Sequence, residues 1–401
     1  MFGFFNVGKD FLLNIVASML LVGVSQLVIY PIIAEKCSAD SYGLFLTLMG
    51  ITTMVSGVLG NSLNNVRLIM HSDYFNNNIK GDFNILLCCS LISIIFIYCG
   101  TLFLIPYKID YPILYLFLII LMTVRSYYCV DFRININYVR VLIMNLILSS
   151  VYVIMSIWYY YFGLDYNCWI FIFLLAEIIA NFYIFIKTDL WREPLIKTRF
   201  FRLATGKYFN LIYLSIISGL LTYFDRNLLY PLMGGKIVAV YFAASLVGKT
   251  ITIFVAPASN VLLSYFSQVG FKMNVSKFWK INLLIVILGI MGYLISLLIS
   301  NFIVQFFYPK FYNDAKNFFY IANLVPILNM IADMARPTVL EFVELSKLSI
   351  IQTIFFILAF FVSYYAITAN GLYGFCCGAI GLSAFKIISM WFLGHSALCK
   401  K

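Results

Sequence analysis

The sequence predicts an all-α integral membrane protein of about 12 transmembrane helices, in two six-helix bundles around a central cavity. Three observations carry that prediction. First, 63% of the 401 residues are hydrophobic and only 11% are charged, against about 25% charged in an ordinary soluble domain. Second, the apolar residues fall in unbroken runs such as LLIVILGIMGYLISLLISNFIV (283–304), long enough to cross a bilayer, which takes about 20 residues. Third, the basic residues are distributed unevenly between the intervening loops. The composition excludes a soluble enzyme, a disordered chain and, despite the net charge of +11, a nucleic-acid module. Strands of a membrane barrel would alternate in polarity over about 10 residues, so the long runs are helices, whose backbone groups bond within their own segment.

Taken in order, the spans are expected near 11–33, 42–63, 83–105, 111–130, 138–161 and 167–187. A second set follows near 209–232, 237–265, 281–304, 317–335, 348–368 and 372–396. The first run is too long for a signal-peptide core and has no small-residue cleavage site after it, so it stays as a span. The eighth is long for one crossing and is expected to tilt or to break at Pro257. Twelve spans place both termini on one side. That side receives 19 of the 27 lysines and arginines, the other receives 6, and Lys249 and Lys386 lie within spans. The bias makes the first side cytoplasmic. The longest polar stretch, TDLWREPLIKTRFFRLATGK (188–207), falls midway. It divides the chain into a bundle at 1–190, a cytoplasmic linker at 191–208 and a bundle at 209–401. The end of that linker reads either as an amphipathic segment at the headgroups or as a plain basic loop.

The two halves begin alike. LVIYPIIAEKCSADSYGLF (27–45) aligns with LLYPLMGGKIVAVYFAA (228–244), placing Tyr30–Pro31 on Tyr230–Pro231. Six spans per half give both halves the same orientation, as in parallel repeats about an axis along the membrane normal. The nine cysteines are scattered, with no CxxC and no Cys/His cluster, so neither a disulfide framework nor a zinc site is expected.

A charge near the bilayer centre costs roughly 3 kcal/mol on insertion scales and usually faces a cavity or a partner. Arg125, Arg226, Lys249, Arg336 and Lys386 are the basic candidates, and Glu177, Asp225 and Asp333 the acidic ones. Lys249 and Lys386 lie about a dozen residues into their spans, too deep to snorkel easily, and are expected to face a wet cavity. Arg125, near the cytoplasmic end of its span, is expected to snorkel. Asp225–Arg226 reads either as a functional pair or as an ion pair fixing the bundle. Asp333 and Arg336 share a helical face, and the following Pro337 is expected to bend or end the helix. Glu177 is either salt-bridged or protonated, and the second state would make it a candidate for proton coupling. Asn14 and Gln26 share a rough face of the first span, while Asn61, Asn64, Asn65 and Arg67 close the inner end of the second. These amides can bind sugar hydroxyls or bond neighbouring helices. His71 lies in a polar loop and is assigned no role.

The basic excess argues against an exporter of organic cations and favours an anionic passenger. A lipid-linked diphosphate fits, since two or three Lys/Arg side chains can compensate it in a low-dielectric cavity. Aromatic residues, 18% of the chain, can stack on sugars, although most belong to lipid contacts and interfacial belts.

In SQLVIYPIIAEKCSADSYGLF (25–45), TYFDRNLLYPLMGGKIVAVYFAASL (222–246) and the proline-containing VAPASNVLLSYFSQ (255–268), the chain resembles bacterial O-antigen flippases of the Wzx type. These belong to the superfamily that also holds multidrug and toxic-compound extruders. The Asp-Arg of the family pattern lands on Asp225 and Arg226. The resemblance implies flipping of undecaprenyl-diphosphate-linked oligosaccharide from the cytoplasmic to the outer leaflet, with cationic lumen residues handling the diphosphate. Lys249, Arg226, Arg336 and Lys386 are the candidates here. It also implies partners: the lipid-linked oligosaccharide, membrane lipids, and glycan-assembly proteins such as a polymerase and a chain-length regulator. Unlike some relatives, the chain has no arginine in its first span. The enzyme-class rival is an O-antigen polymerase, which needs a large outward loop that is not present. The second rival is a cation-coupled drug exporter of the same fold. No ATP-binding motif is evident, so no cofactor is expected beyond H+ or Na+ coupling, and transport would draw on an ion gradient, the membrane potential or the glycan gradient.

Overall fold

The computed structural model describes residues 16, 19–104, 110–162, 168–266, 273–340 and 345–399, of which 102–104, 253–266, 336–340 and 345–351 are described as backbone alone. Asn14 lies outside the described residues. In chain order the helices are α1 (Met19–Lys36), α2 (Ala39–Ile69), the short α3 (His71–Asn76), α4 (Phe83–Leu104), α5 (Pro112–Ile134), α6 (Tyr138–Phe162) and α7 (Trp169–Lys187). There follow α8 (Phe201–Thr222), α9 (Phe224–Met233), α10 (Gly235–Phe266), α11 (Val275–Phe307), α12 (Phe319–Leu340) and α13 (Leu345–Cys399). The described residues are helical almost throughout and include no strand.

Local chemistry sets the ends. Ser38 caps α2 by accepting the Ser41 amide at 3.1 Å, with Asp40 in the first turn where the helix dipole favours an anion. Asn274 caps α11 through the Lys277 amide at 2.8 Å. Pro112 opens α5 at a position whose amide would have no helical partner anyway. Nine stretches among the described residues are long and apolar enough to span a membrane. The last of them, Gln352–Cys399, is two spans joined at Asn370–Gly371. With the seventh and eighth, α8–α9 and α10, the total matches the expected dozen.

Three expectations about helix breaks are corrected. The seventh span is not one helix over 209–232: it breaks at Tyr223 (φ −106°, ψ 19°), and Asp225 and Arg226 open the separate α9. The eighth does not break at Pro257, because α10 stays helical through it to Phe266. Nor does Pro337 end its helix, which continues to Leu340. A proline removes one backbone hydrogen bond, and membrane helices tolerate that where neighbours re-satisfy the freed group.

Packing divides the chain into two compact units, Met1–Pro231 and Leu232–Lys401. In the first, α8 lies against α2. Ser62 Oγ and Ser215 Oγ are 2.9 Å apart, and the Tyr208 hydroxyl donates to the Leu59 carbonyl at 3.1 Å. The polar stretch therefore does not mark the packing boundary, since α8 begins at Phe201, inside it.

In the second unit the two arms of α13 fold back on each other at Gly371, whose φ of +57° suits only glycine comfortably. Gly374 and Gly378, spaced as G-x-x-x-G, then meet Ala366 and Val362. A Cβ on Gly374 would overlap the Ala366 carbonyl group, so the small residues are what allow this close crossing. Gly374→Leu is expected to abolish accumulation of monodisperse protein in fluorescence-detected size-exclusion chromatography. Gly381→Leu on the same helix, where a Cβ meets nothing within 4 Å, is expected to behave as wild type. Equal profiles for the two variants would refute this account of the crossing.

Candidate functional site

The described charges within the spans sort into four arrangements. Arg125 and Glu177 form a buried ion pair, Nε to Oε2 at 2.7 Å, with the Glu177 side chain 0% exposed. Arg125 therefore does not snorkel: a carboxylate on the adjacent α7 is closer than water and answers its charge. One turn on, Asn181 Nδ2 bonds the Leu121 and Glu177 carbonyls at 3.1 and 2.8 Å and fixes α7 on α5. Glu177 is thus found in the salt-bridged alternative.

Arg226 is buried beside Asp225. Its Nη1 donates to the Leu46 carbonyl at 3.1 Å, its guanidinium lies 5.8 Å from the Tyr223 ring, and it also bonds the Tyr30 hydroxyl. The break at Tyr223 starts α9 just before this arginine. Gly50 makes room for it, since a Cβ there would come within 3.3 Å of Arg226 Cδ. The Tyr30–Pro31 motif and the Asp-Arg motif, separate in sequence, thus meet in one place.

In the second unit Lys386 Nζ bonds Asp333 Oδ1 at 2.8 Å and lies 5.8 Å from the Phe355 ring. Asp333 thus takes a partner from the last span; the expected sharing of a face with Arg336 falls on a side chain outside the described residues. Lys249 is half-buried near the middle of α10, with Nζ 5.0 Å from the Tyr241 ring two turns earlier. Its helix is held beside it by Asn323, a fully buried residue of α12. Asn323 Oδ1 accepts the Gly248 amide at 2.7 Å, while Nδ2 donates to Ser300 Oγ at 3.0 Å and to the Phe319 carbonyl at 2.9 Å.

Of the amides singled out, Asn64 is an inter-helix bond. Nδ2 donates to the Ser126 carbonyl at 2.9 Å, and Oδ1 accepts from Arg133 Nη1 at 2.7 Å. Gln26 is half-buried in a π-helical turn, Ser25–Ile29, of α1, a local widening often placed at functional positions.

Sequence reasoning missed Asn323, visible only as a lone amide inside an apolar run, and it missed the fate of the linker. Residues 188–200 are strapped to the first unit by the 77–84 turn. Arg67 Nη2 meets Glu193 Oε1 at 2.5 Å. Asn84 Nδ2 donates to the Leu190 and Glu193 carbonyls at 3.0 and 3.1 Å. The fully buried Asp82 accepts from Tyr74 at 2.6 Å, from the Thr198 amide at 2.7 Å and from the Thr198 hydroxyl. Burial first, and the Asp82 contact second, hold the Tyr74 hydroxyl above its ordinary pKa, so it stays a donor. The sequence signal for this strap was present in Glu193, the lone acid of the otherwise basic 191–208 linker.

No protein-family profile and no curated protein matches the sequence. Solved structures do. One is described as the inward-facing conformation of a multidrug resistance MATE family transporter of the MOP superfamily (TM-score 0.70, 12% identity, 96% of each chain). Another is described as the outward-facing conformation of such a transporter (0.60, 13%, covering 98% of this chain and 97% of that one). A mutant MATE transporter of Vibrio cholerae also matches (0.58, 12%, 98% and 95%). The chain has the fold of these transporters over essentially its whole length.

Proposed function

We propose that this chain is a flippase that carries undecaprenyl-diphosphate-linked oligosaccharide, an O-antigen or related glycan unit, from the cytoplasmic to the outer leaflet of a bacterial inner membrane. The fold supports alternating access, since neighbours of that fold have been solved facing inward and outward. The positive-inside bias supports cytoplasmic termini. Glycan-assembly proteins such as a polymerase and a chain-length regulator are the partners this role calls for, and no catalytic step is assigned to the chain itself.

The observation that carries the reading is the charge composition of the spans. The candidates singled out within them are five basic residues, Arg125, Arg226, Lys249, Arg336 and Lys386, against three acidic ones, Glu177, Asp225 and Asp333. That excess suits a diphosphate.

A cation-coupled drug exporter is the second reading, favoured by the multidrug function named for two of these neighbours. Against it, two of the three intramembrane carboxylates already have a basic partner and would not draw in an organic cation.

The deciding experiment is complementation. Surface polysaccharide should return in a flippase-null strain that carries the matching glycan pathway, with no gain in resistance to cationic drugs. Drug resistance without glycan would establish the second reading. Restored chain length in a polymerase-null strain would point to a polymerase.

A further inference from the structure

Where α2 ends and α4 begins, the strap borders a small cavity of about 30 Å3, open on one side, that the flipping reading does not use. Arg67, His71 and Lys80 bring basic side chains to it, and Glu193 brings a carboxylate. Tyr74, Ile79 and Phe83 form the rest of its wall.

The cavity is built rather than incidental. Arg67, only 9% exposed, is held by the Tyr127 hydroxyl at 2.7 Å, by Glu193 and by the Phe83 ring at 4.9 Å. The turn beside it passes through three left-handed residues, Asn78 (φ 50°), Gly81 (φ 128°) and Asp82 (φ 66°). A Cβ at Gly81 would come within 2.7 Å of the Ile196 carbonyl oxygen, so the strap can approach only because that position is glycine.

Two further features indicate an occupant. Glu193 gives one oxygen to Arg67, while its other oxygen is buried and takes no hydrogen bond. A buried acceptor left without a donor is costly, and a ligand carrying an N–H or O–H would satisfy it. The cavity also lies at the ends of two spans. Ile69, Phe75 and Leu195, each within two residues of a lining residue in the chain, are exposed, Phe75 by 75%, as suits a surface at the headgroup–acyl boundary.

We propose that the open mouth of this cavity binds the headgroup of a membrane phospholipid whose phosphodiester carries its own hydrogen-bond donor, as ethanolamine and glycerol headgroups do. The phosphate lies against Arg67, His71 and Lys80, and the ammonium or hydroxyl group donates to the open oxygen of Glu193. Phosphocholine offers the same phosphate without the donor and is the discriminating control.

The test uses the full-length protein in detergent, titrated with phosphatidylethanolamine, phosphatidylglycerol and phosphatidylcholine of identical acyl chains and read by native mass spectrometry. Donor-bearing lipids should be retained roughly tenfold more tightly than phosphatidylcholine, the size expected for one hydrogen bond to a charged group. Lys80→Ala, at an exposed position of the turn, should weaken all three lipids severalfold. Glu193→Gln, which lacks the charged acceptor, should narrow the preference. If that variant does not fold, the wild-type comparison and Lys80→Ala decide the matter alone. Equal retention of phosphatidylcholine by the wild type, or unchanged affinities in Lys80→Ala, would overturn the assignment. So would displacement of bound phosphatidylethanolamine by soluble phosphoethanolamine at similar concentration, because the cavity would then belong to a water-soluble phosphate. No transport is measured, so the outcome is independent of whether the protein flips a glycolipid.

Discussion

Glu177→Leu is expected to destabilise the purified protein by roughly 3–5 kcal/mol, the range for removing one partner of a buried ion pair. The cause is what the substitution leaves behind. Arg125 would keep its charge between α5 and α7, with the nearest counter-ion gone and only 13% of its side chain reachable by solvent. Arg125→Met should be similarly damaging, because it strands a carboxylate that is 0% exposed. The double variant Arg125→Met/Glu177→Leu should recover most of the stability, since apolar side chains of similar volume often replace a buried pair at little net cost. Thermal unfolding of the three variants in detergent gives the cycle directly, and the non-additivity should be large because the two groups touch. The double variant also separates the two readings of Glu177. We expect it to be stable and to transport, as a bundle-fixing pair requires. A variant that is stable but inert would show that Glu177 takes part in coupling as well.

Much of the fold was legible because the bilayer imposes one dominant requirement. Backbone groups must be satisfied within each span, and the span length follows from membrane thickness. The unbroken runs therefore located the helices to within a few residues, as at 83–105 and 138–161. The prolines were less legible. Pro257 and Pro337 read as breaks, yet α10 and α12 run through them, while the actual break falls at Tyr223, which carries no local signal. Helix continuity at such points depends on tertiary neighbours, which no sequence window contains.

Charge partners were legible in kind and illegible in pairing. A carboxylate at 177 had to be paired or protonated, but Arg125 lies 52 residues away. Asp333 bonds Lys386 at a separation of 53. Contacts across two helices leave no trace in the local sequence. The linker shows the same limit. Its polarity and basic residues were plain, but the buried Asp82 that holds it reads as an ordinary turn residue in the sequence.

Lys249 should show the largest effect on transport, and in the opposite direction from its effect on stability. An ammonium near the centre of a span costs roughly 3 kcal/mol on insertion scales. Here it sits on a helix that is rigidly placed: Gly248 packs against Pro326 and bonds Asn323, and Tyr241 lies under the ammonium. The first contact does not involve the lysine side chain, and the second is a cation–π contact worth about 0.5–2 kcal/mol, less than the cost of the charge. Lys249→Met should therefore leave the helix in place, and is expected to raise thermal stability slightly while lowering surface glycan by roughly tenfold or more, the size of one charge-assisted contact to phosphate. Lys249→Glu should reduce glycan to the flippase-null level, since it places a like charge against the diphosphate. Lys249→Arg should retain a substantial share, because it keeps the charge and adds hydrogen-bond donors. The readout is surface polysaccharide at native expression, normalised to the amount of protein in the membrane. A structural lysine would behave otherwise: the methionine variant would lose stability and glycan together, or neither. Wild-type glycan in Lys249→Met would remove this residue from the path of the phosphate and leave Arg226 and Arg336 to supply the positive charge.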